Sequence, residues 1–340
     1  MAVLVRQAGI LFVSLMGAVA LLLFSSVAQA VPEVLEACRP DKPTIAATDL
    51  PEVLEPGRCP IKDRPIVDHE VGVALPEPGE GVYAEVLTTA GPQELQVTRY
   101  ENGAVELQQV GDDSGSAAGE QAASDPAPLR TFTAARGPRE CRDGAFADLG
   151  YRVGQGLSYR FNWRTTPRHL KRAAAVGAVR RGGADVVTTR NTCRLGDRVP
   201  AGLVYEGFTP LVANITAGGH CTGNDGVSVV SFGSLPRGTL AVTCIFFTIR
   251  PGYDEVSSSD LKVNRRGFRW TTRPDARSCK RMWDLEGVIA HERGHTFGLG
   301  HVSESRHGNL TMSVRANGPC QSSERTLGRG DVLGLGNKYR

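Results

Sequence analysis

What this sequence has little of sets the first limits. Charge of either sign is in small excess: 39 Lys and Arg stand against 36 Asp and Glu, a net +3. That leaves no field of the kind that binds nucleic acid. No two cysteines stand in a C-x-x-C spacing, so a cysteine-built zinc site is not expected. No internal repeat is visible. After residue 24 no apolar run approaches the roughly 20 residues needed to span a bilayer. Hydrophobic residues are not scarce, at 41% of 340, which excludes a fully disordered chain and is enough for about two domains.

The start reads as an address. Arg6 is the only charge in the first thirty residues, Ile10 to Phe24 is apolar, and Ser25-Ser26-Val27-Ala28-Gln29-Ala30 ends in small-x-small. This is the pattern of a secretory signal peptide over residues 1–30, cut after Ala30. Its apolar core is short for a membrane anchor, and no cysteine precedes Cys38 to carry a lipid. The expectation is a secreted chain with no stable membrane association. Export makes an even number of cysteines read as disulfides. There are eight: Cys38, Cys59, Cys141, Cys193, Cys221, Cys244, Cys279 and Cys320. Pairing is not deducible from sequence, and joining neighbours (38–59, 141–193, 221–244, 279–320) is the simplest arrangement.

Small, polar and Pro residues dominate 112–138, which therefore reads as a flexible linker. It divides a β-rich N-terminal module or propeptide, residues 31–111, from a longer part, residues 139–340. In the module Val82 to Thr88, Leu95 to Tyr100 and Ala104 to Val110 read as strands, the last two joined through Glu101-Asn102-Gly103. Beyond the linker, strands are expected at Leu157 to Trp163, Val227 to Phe232, Thr239 to Ile249 and Ser259 to Val263. Helices are expected from Thr165-Thr166-Pro167 through Val179, over Trp283 to Phe297, and over Asp331 to Tyr339. The mixture is α+β.

Residues 291–301 read His-Glu-Arg-Gly-His-Thr-Phe-Gly-Leu-Gly-His. His291 and His295 are four apart, so on a helix both imidazoles share one face and can bind one metal. Glu292 lies beside that face, within reach of a water on the metal. Gly298 and Gly300 let the helix stop and the chain turn back, delivering His301 as a third ligand. Neutral imidazoles suit Zn²⁺, and three protein ligands leave the fourth position open, as in catalytic sites. With Glu292 as general base and acid, this is the equipment for zinc-assisted hydrolysis of an amide.

The segment resembles the metzincin signature H-E-x-x-H-x-x-G-x-x-H followed by a methionine turn, with Met312 eleven residues after His301. The resemblance implies a mixed twisted sheet, an active-site helix, a Met-turn floor at Met312, a C-terminal helix, one catalytic zinc and a polypeptide substrate. Within that clan the chain looks most like a secreted bacterial matrixin-like protease over about Cys141 to Arg340. Gly238-Thr239-Leu240-Ala241 is similar to the matrixin edge strand that pairs with extended substrate, which makes Leu240 and Ala241 candidate substrate-binding residues. Leu327 to Leu335 is similar to the matrixin C-terminal helix.

The departures are specific. Val302-Ser303 follows the third His where matrixins carry Ser or Thr directly and astacins Glu, and no Tyr follows Met312 within two residues. No His-x-Asp segment matches a structural zinc loop, and calcium sites are not readable. Arg58-Cys59-Pro60 resembles part of a cysteine switch, but that use would strand Cys38, so a 38–59 disulfide is preferred. His307 reads as a solvated loop residue, His169 and His220 as structural or exposed. Two other functions fit the residues: a non-catalytic secreted binding protein stabilised by zinc, and a zinc amidase acting on cell-wall crosslinks.

Overall fold

The computed structural model describes residues 35–39, 41–61, 64–110, 139–196, 199–316 and 318–339. The expected leader over 1–30 and linker over 112–138 lie outside them. The architecture is mixed α+β, with several sheets and four α-helices among the described residues. No described helix is long and apolar enough to cross a membrane.

The main sheet draws on residues from both sides of 112–138. Its principal strands in chain order are β1 (Glu80–Thr88), β2 (Pro92–Arg99), β3 (Val105–Val110), β4 (Gly156–Asn162), β5 (Gly202–Phe208), β6 (Val229–Gly233), β7 (Thr239–Thr248) and β8 (Asp254–Asn264). Across the sheet they run β5-β4-β6-β8-β7-β1-β2-β3, with Val53–Leu54 beyond β3. From β5 to β8 neighbours are parallel, and from β8 through β3 they are antiparallel. The described residues on both sides of the linker form one unit, not two.

Burial on both faces explains why β7 is apolar apart from Thr243 over Leu240-Ala241-Val242-Thr243-Cys244-Ile245-Phe246-Phe247. Val242, Cys244 and Phe246 face one core with Val82, Ala84 and Val86 of β1 and the small sheet around Ile45, Ile66 and Val73. The opposite face receives α1 (Arg172–Val187) and α2 (Leu285–Thr296) through Ala175, Ala178, Val179, Leu285, Val288 and Ile289. The third α-helix, α3 (Glu304–His307), is a short turn on the way to the methionine. Met312, Phe297, Ile245 and Leu335 of α4 (Arg329–Lys338) fill a further core beneath α2.

All eight cysteines are paired, as 38–59, 141–193, 221–244 and 279–320. Cys59 is therefore no switch thiol. The strand β5 had no expectation attached to it. Its alternation is diluted by Gly202, Glu206 and Gly207, and the strand is largely half-buried, so its apolar signal is weak.

Candidate metal centre

The centre is built on α2. Asp284 caps its N-terminus by accepting the Gly287 N–H at 3.0 Å. The same carboxylate is gripped by two 2.6 Å bonds from the Arg325 guanidinium. After Thr296 the helix ends on Phe297, and Gly298 turns the chain with φ +86°. A Cβ there would stand 2.2 Å from the Tyr151 carbonyl oxygen, so only glycine fits. That turn returns the backbone through Leu299–Gly300 and sets His301 against the helix face.

His291, His295 and His301 converge. Their Nε2 atoms lie 3.0, 3.2 and 3.3 Å apart, and all three rings are buried. Each Nδ1 is taken by an oxygen: the Thr311 carbonyl for His291 at 2.7 Å, the Leu299 carbonyl for His295 at 2.8 Å, and Glu94 Oε1 for His301 at 2.6 Å. A carbonyl only accepts, so Nδ1 of His291 and His295 carries the hydrogen. The Nε2 lone pairs are left pointing at one another. This arrangement of outer hydrogen bonds is the one that orients imidazoles toward a metal.

Where spacing alone left the fourth position open, the structure brings Glu85 of β1 beside the three imidazoles. Its Oε2 lies 2.9 Å from His295 Nε2, and its Oε1 lies 3.3 Å from His301 Nε2 and 3.6 Å from His291 Nε2. Glu85 is fully buried, and neither carboxylate oxygen has a hydrogen-bond partner among the described residues. Three imidazole nitrogens and a carboxylate oxygen, all within 4.8 Å of one another, can hold a metal ion. Nitrogens at about 2.0–2.1 Å from one tetrahedral ion would stand about 3.4 Å apart, close to the spacing seen.

Glu292 is buried beside this group. Its Oε2 accepts the Thr243 hydroxyl at 2.5 Å, and its Oε1 has no partner among the described residues. Burial first, then repulsion by Glu85, holds its carboxyl well above the usual carboxylate range.

No family model matches the chain. A search of curated proteins finds no match either.

Met312 lies directly beneath the helix. A Cβ on Gly294, between His291 and His295, would meet its sulfur at 2.2 Å. The turn is pinned by Asp331 of α4, which accepts the N–H groups of Gly328, Thr311 and Met312 at 2.7, 3.0 and 3.3 Å. Leu240 and Ala241 are on β7 and buried, with β1 along the strand that resemblance presents as an edge. Ala241 is paired with Leu87 and Thr243 with Glu85, and a bulge sets Leu240 apart. His307 is outside the metal group and faces Asp143, with Nδ1 at 2.9 Å. His169 accepts the Trp270 N–H.

Sequence reasoning missed Glu85, Glu94 and Asp331. Glu85 did leave a signal: it is a lone carboxylate inside Val82-Tyr83-Ala84-Glu85-Val86-Leu87, a run otherwise apolar on both faces. A charge there needs a partner of opposite sign.

Proposed function

We infer that the chain is a secreted zinc-dependent endopeptidase of the metzincin kind. The observation that carries this is the convergence of the three Nε2 atoms, with a carboxyl on the adjoining helical position and one of its oxygens uncommitted. Three neutral imidazoles are a donor set suited to zinc, with Glu85 fitting as a hard oxygen ligand. Bound zinc would supply Lewis acidity to the substrate carbonyl and to the attacking water.

The remaining work falls to this chain's own groups. With a cation at the four donors to offset burial and the Glu85 charge, Glu292 would be ionised and, its Oε2 held by Thr243, would take a proton from water through Oε1 as oxygen bonds to the scissile carbonyl carbon. It would then hand the proton to the amide nitrogen as the C–N bond breaks, giving a carboxylic acid and an amine that exchange a proton to end as carboxylate and ammonium. β7 would hold the substrate extended, by main-chain hydrogen bonds of the type it makes with β1. Thr311 and Leu299 carbonyls would keep two imidazoles aimed throughout. The leader and the four disulfides support an extracellular setting.

One observation favours a second reading. A site closed by four buried protein donors is the pattern of a structural metal, so Glu85 supports a zinc-stabilised binding protein without turnover. Digestion of an unstructured protein separates the two, using secreted product with and without a zinc chelator and mass spectrometry of the fragments. The endopeptidase reading expects chelator-sensitive cleavage that Glu292→Gln abolishes. Zinc-replete protein that makes no cut, with residues 31–138 present or removed, contradicts it.

A further inference from the structure

We propose that the end of the main sheet formed by residues 163–172 and 208–212 is a docking surface for an anionic lipid bilayer, on which the protein rests reversibly without crossing it. The inference does not depend on the endopeptidase reading. It begins with charge. Residues 149–184 hold eight Lys and Arg and no Asp or Glu, so the other 31 basic residues of the chain stand against 36 acidic ones. A small net charge thus conceals one strongly basic tract in an otherwise acidic protein.

Folding gathers part of that tract at one place. β4 and β5 are parallel, so the segments that follow them leave the sheet at the same end. Arg164, Arg168, Lys171 and Arg172 are exposed there, and none has an ion-pair partner among the described residues. Arg160 and Arg181 of the same tract differ, being paired with Glu206 and Glu286. Two half-buried rings lie among the free cations: Trp163 packs on Phe208 with centroids 4.4 Å apart. The Arg172 guanidinium sits 3.9 Å over the Trp163 ring, and that of Arg164 sits 4.8 Å over Phe208.

The apolar part of the surface is rigidly presented. Leu211 and Val212 are 46% and 53% exposed, the one adjacent pair of exposed large apolar residues among those described. Their exposure is not looseness. The buried Asn162 donates through Nδ2 to the Pro210 and Leu211 carbonyls at 3.0 and 2.8 Å, which also ties this loop to the residue before Trp163. Thr209 Oγ1 accepts the Leu211 N–H at 3.2 Å, and Ser231 Oγ accepts the Ala213 N–H at 3.0 Å.

Either feature alone would be unremarkable, since single apolar residues are common on surfaces and a basic tract suits any polyanion. Together they match one partner. Fixed aliphatic side chains fit the acyl boundary, aromatic rings fit the interface, and unpaired cations fit anionic headgroups. A soluble polyanion would gain nothing from Leu211 and Val212.

The test is co-sedimentation with vesicles of mixed phosphatidylcholine and phosphatidylglycerol, and with vesicles of phosphatidylcholine alone. The chain is used without residues 1–30, whose apolar run would itself enter lipid. Capture is expected on the anionic vesicles only, weakening as salt is raised. Arg168→Gln with Lys171→Gln should weaken it about tenfold or more. Leu211→Ser with Val212→Ser should do the same by removing the acyl contact. All four side chains are exposed, so circular dichroism should match wild type. Trp163 emission, taken as the difference from Trp163→Phe, should be quenched by lipids brominated on the acyl chain.

No capture by anionic vesicles overturns the proposal, as does capture that both double variants leave unchanged. Capture that dextran sulfate competes away and that Leu211→Ser with Val212→Ser does not weaken assigns the surface to a soluble polyanion and overturns the bilayer. Bound protein whose Trp163 stays unquenched places the contact elsewhere and overturns it too.

Discussion

Each functional side chain here is held by a neighbour whose chemistry admits one orientation. The carbonyls of Thr311 and Leu299 fix two imidazoles, and Thr243 fixes one oxygen of Glu292. Glu292→Gln keeps that bond and removes the base. It is expected to retain one zinc per chain while peptide cleavage falls by roughly 10²–10⁴-fold; loss of zinc in equal measure would assign Glu292 a structural role. Gly298→Ala sets a Cβ against the Tyr151 carbonyl at a positive φ. The variant should lose about 2 kcal/mol or more of stability and bind metal more weakly, because His301 is displaced. Equilibrium unfolding and metal titration read both effects, and an unchanged midpoint would show that the turn is not strained as described. At this scale the sequence was most legible: a ligand motif spanning eleven residues carries its geometry in its spacing. Glu85 and Glu94 were not, because they reach the site through sheet pairing some two hundred positions away.

Among the elements, α2 and the methionine turn depend on α4. Asp331 satisfies three backbone N–H groups at the foot of the site. Asp331→Ala leaves them without an acceptor, and a cost of about 2–4 kcal/mol is expected from the loss of several bonds to one charged group. A change under about 0.5 kcal/mol in chemical denaturation would contradict this. On β8, burial first pushes Asp260 up to about 7, although it accepts the Asn214 and Val229 N–H groups. A folded-state value raised above the unfolded one favours folding at low pH, and that advantage drains away as pH rises from about 4 to 7. Wild type should therefore lose stability relative to Asp260→Asn across this window, by at most about 1.4 kcal/mol per pH unit. Parallel profiles would refute it. Strands with apolar runs were readable to within a few residues: Thr239 to Ile249 was expected and Thr239–Thr248 is found. The half-buried β5 was not, since periodicity marks only elements that bury a face.

For the molecule as a whole, the pairing β7–β1 is the decisive feature. Composition around 112–138 divides the sequence into two parts, yet one sheet runs through both. Linker chemistry reports where the chain need not fold. It says nothing about which edges will meet afterwards. The cysteine pairing is the simplest one because each bridge closes a loop between neighbours. Since the four candidate donors join β1 to α2, removing a metal bound there should loosen both sides of that sheet. A ligand that binds only the folded state stabilises by about 2.7 kcal/mol at a hundredfold excess over its Kd. Chelation should lower the melting temperature by several degrees, and an identical melt would mean that the four donors hold no ion.

X-ray absorption at the zinc edge, on the dialysed full-length chain, tests the central claim most directly. The expected result is one zinc per chain with three imidazole nitrogens and one carboxylate oxygen at about 2.0–2.1 Å. Zinc lost on dialysis, or a shell without three imidazoles, would contradict it.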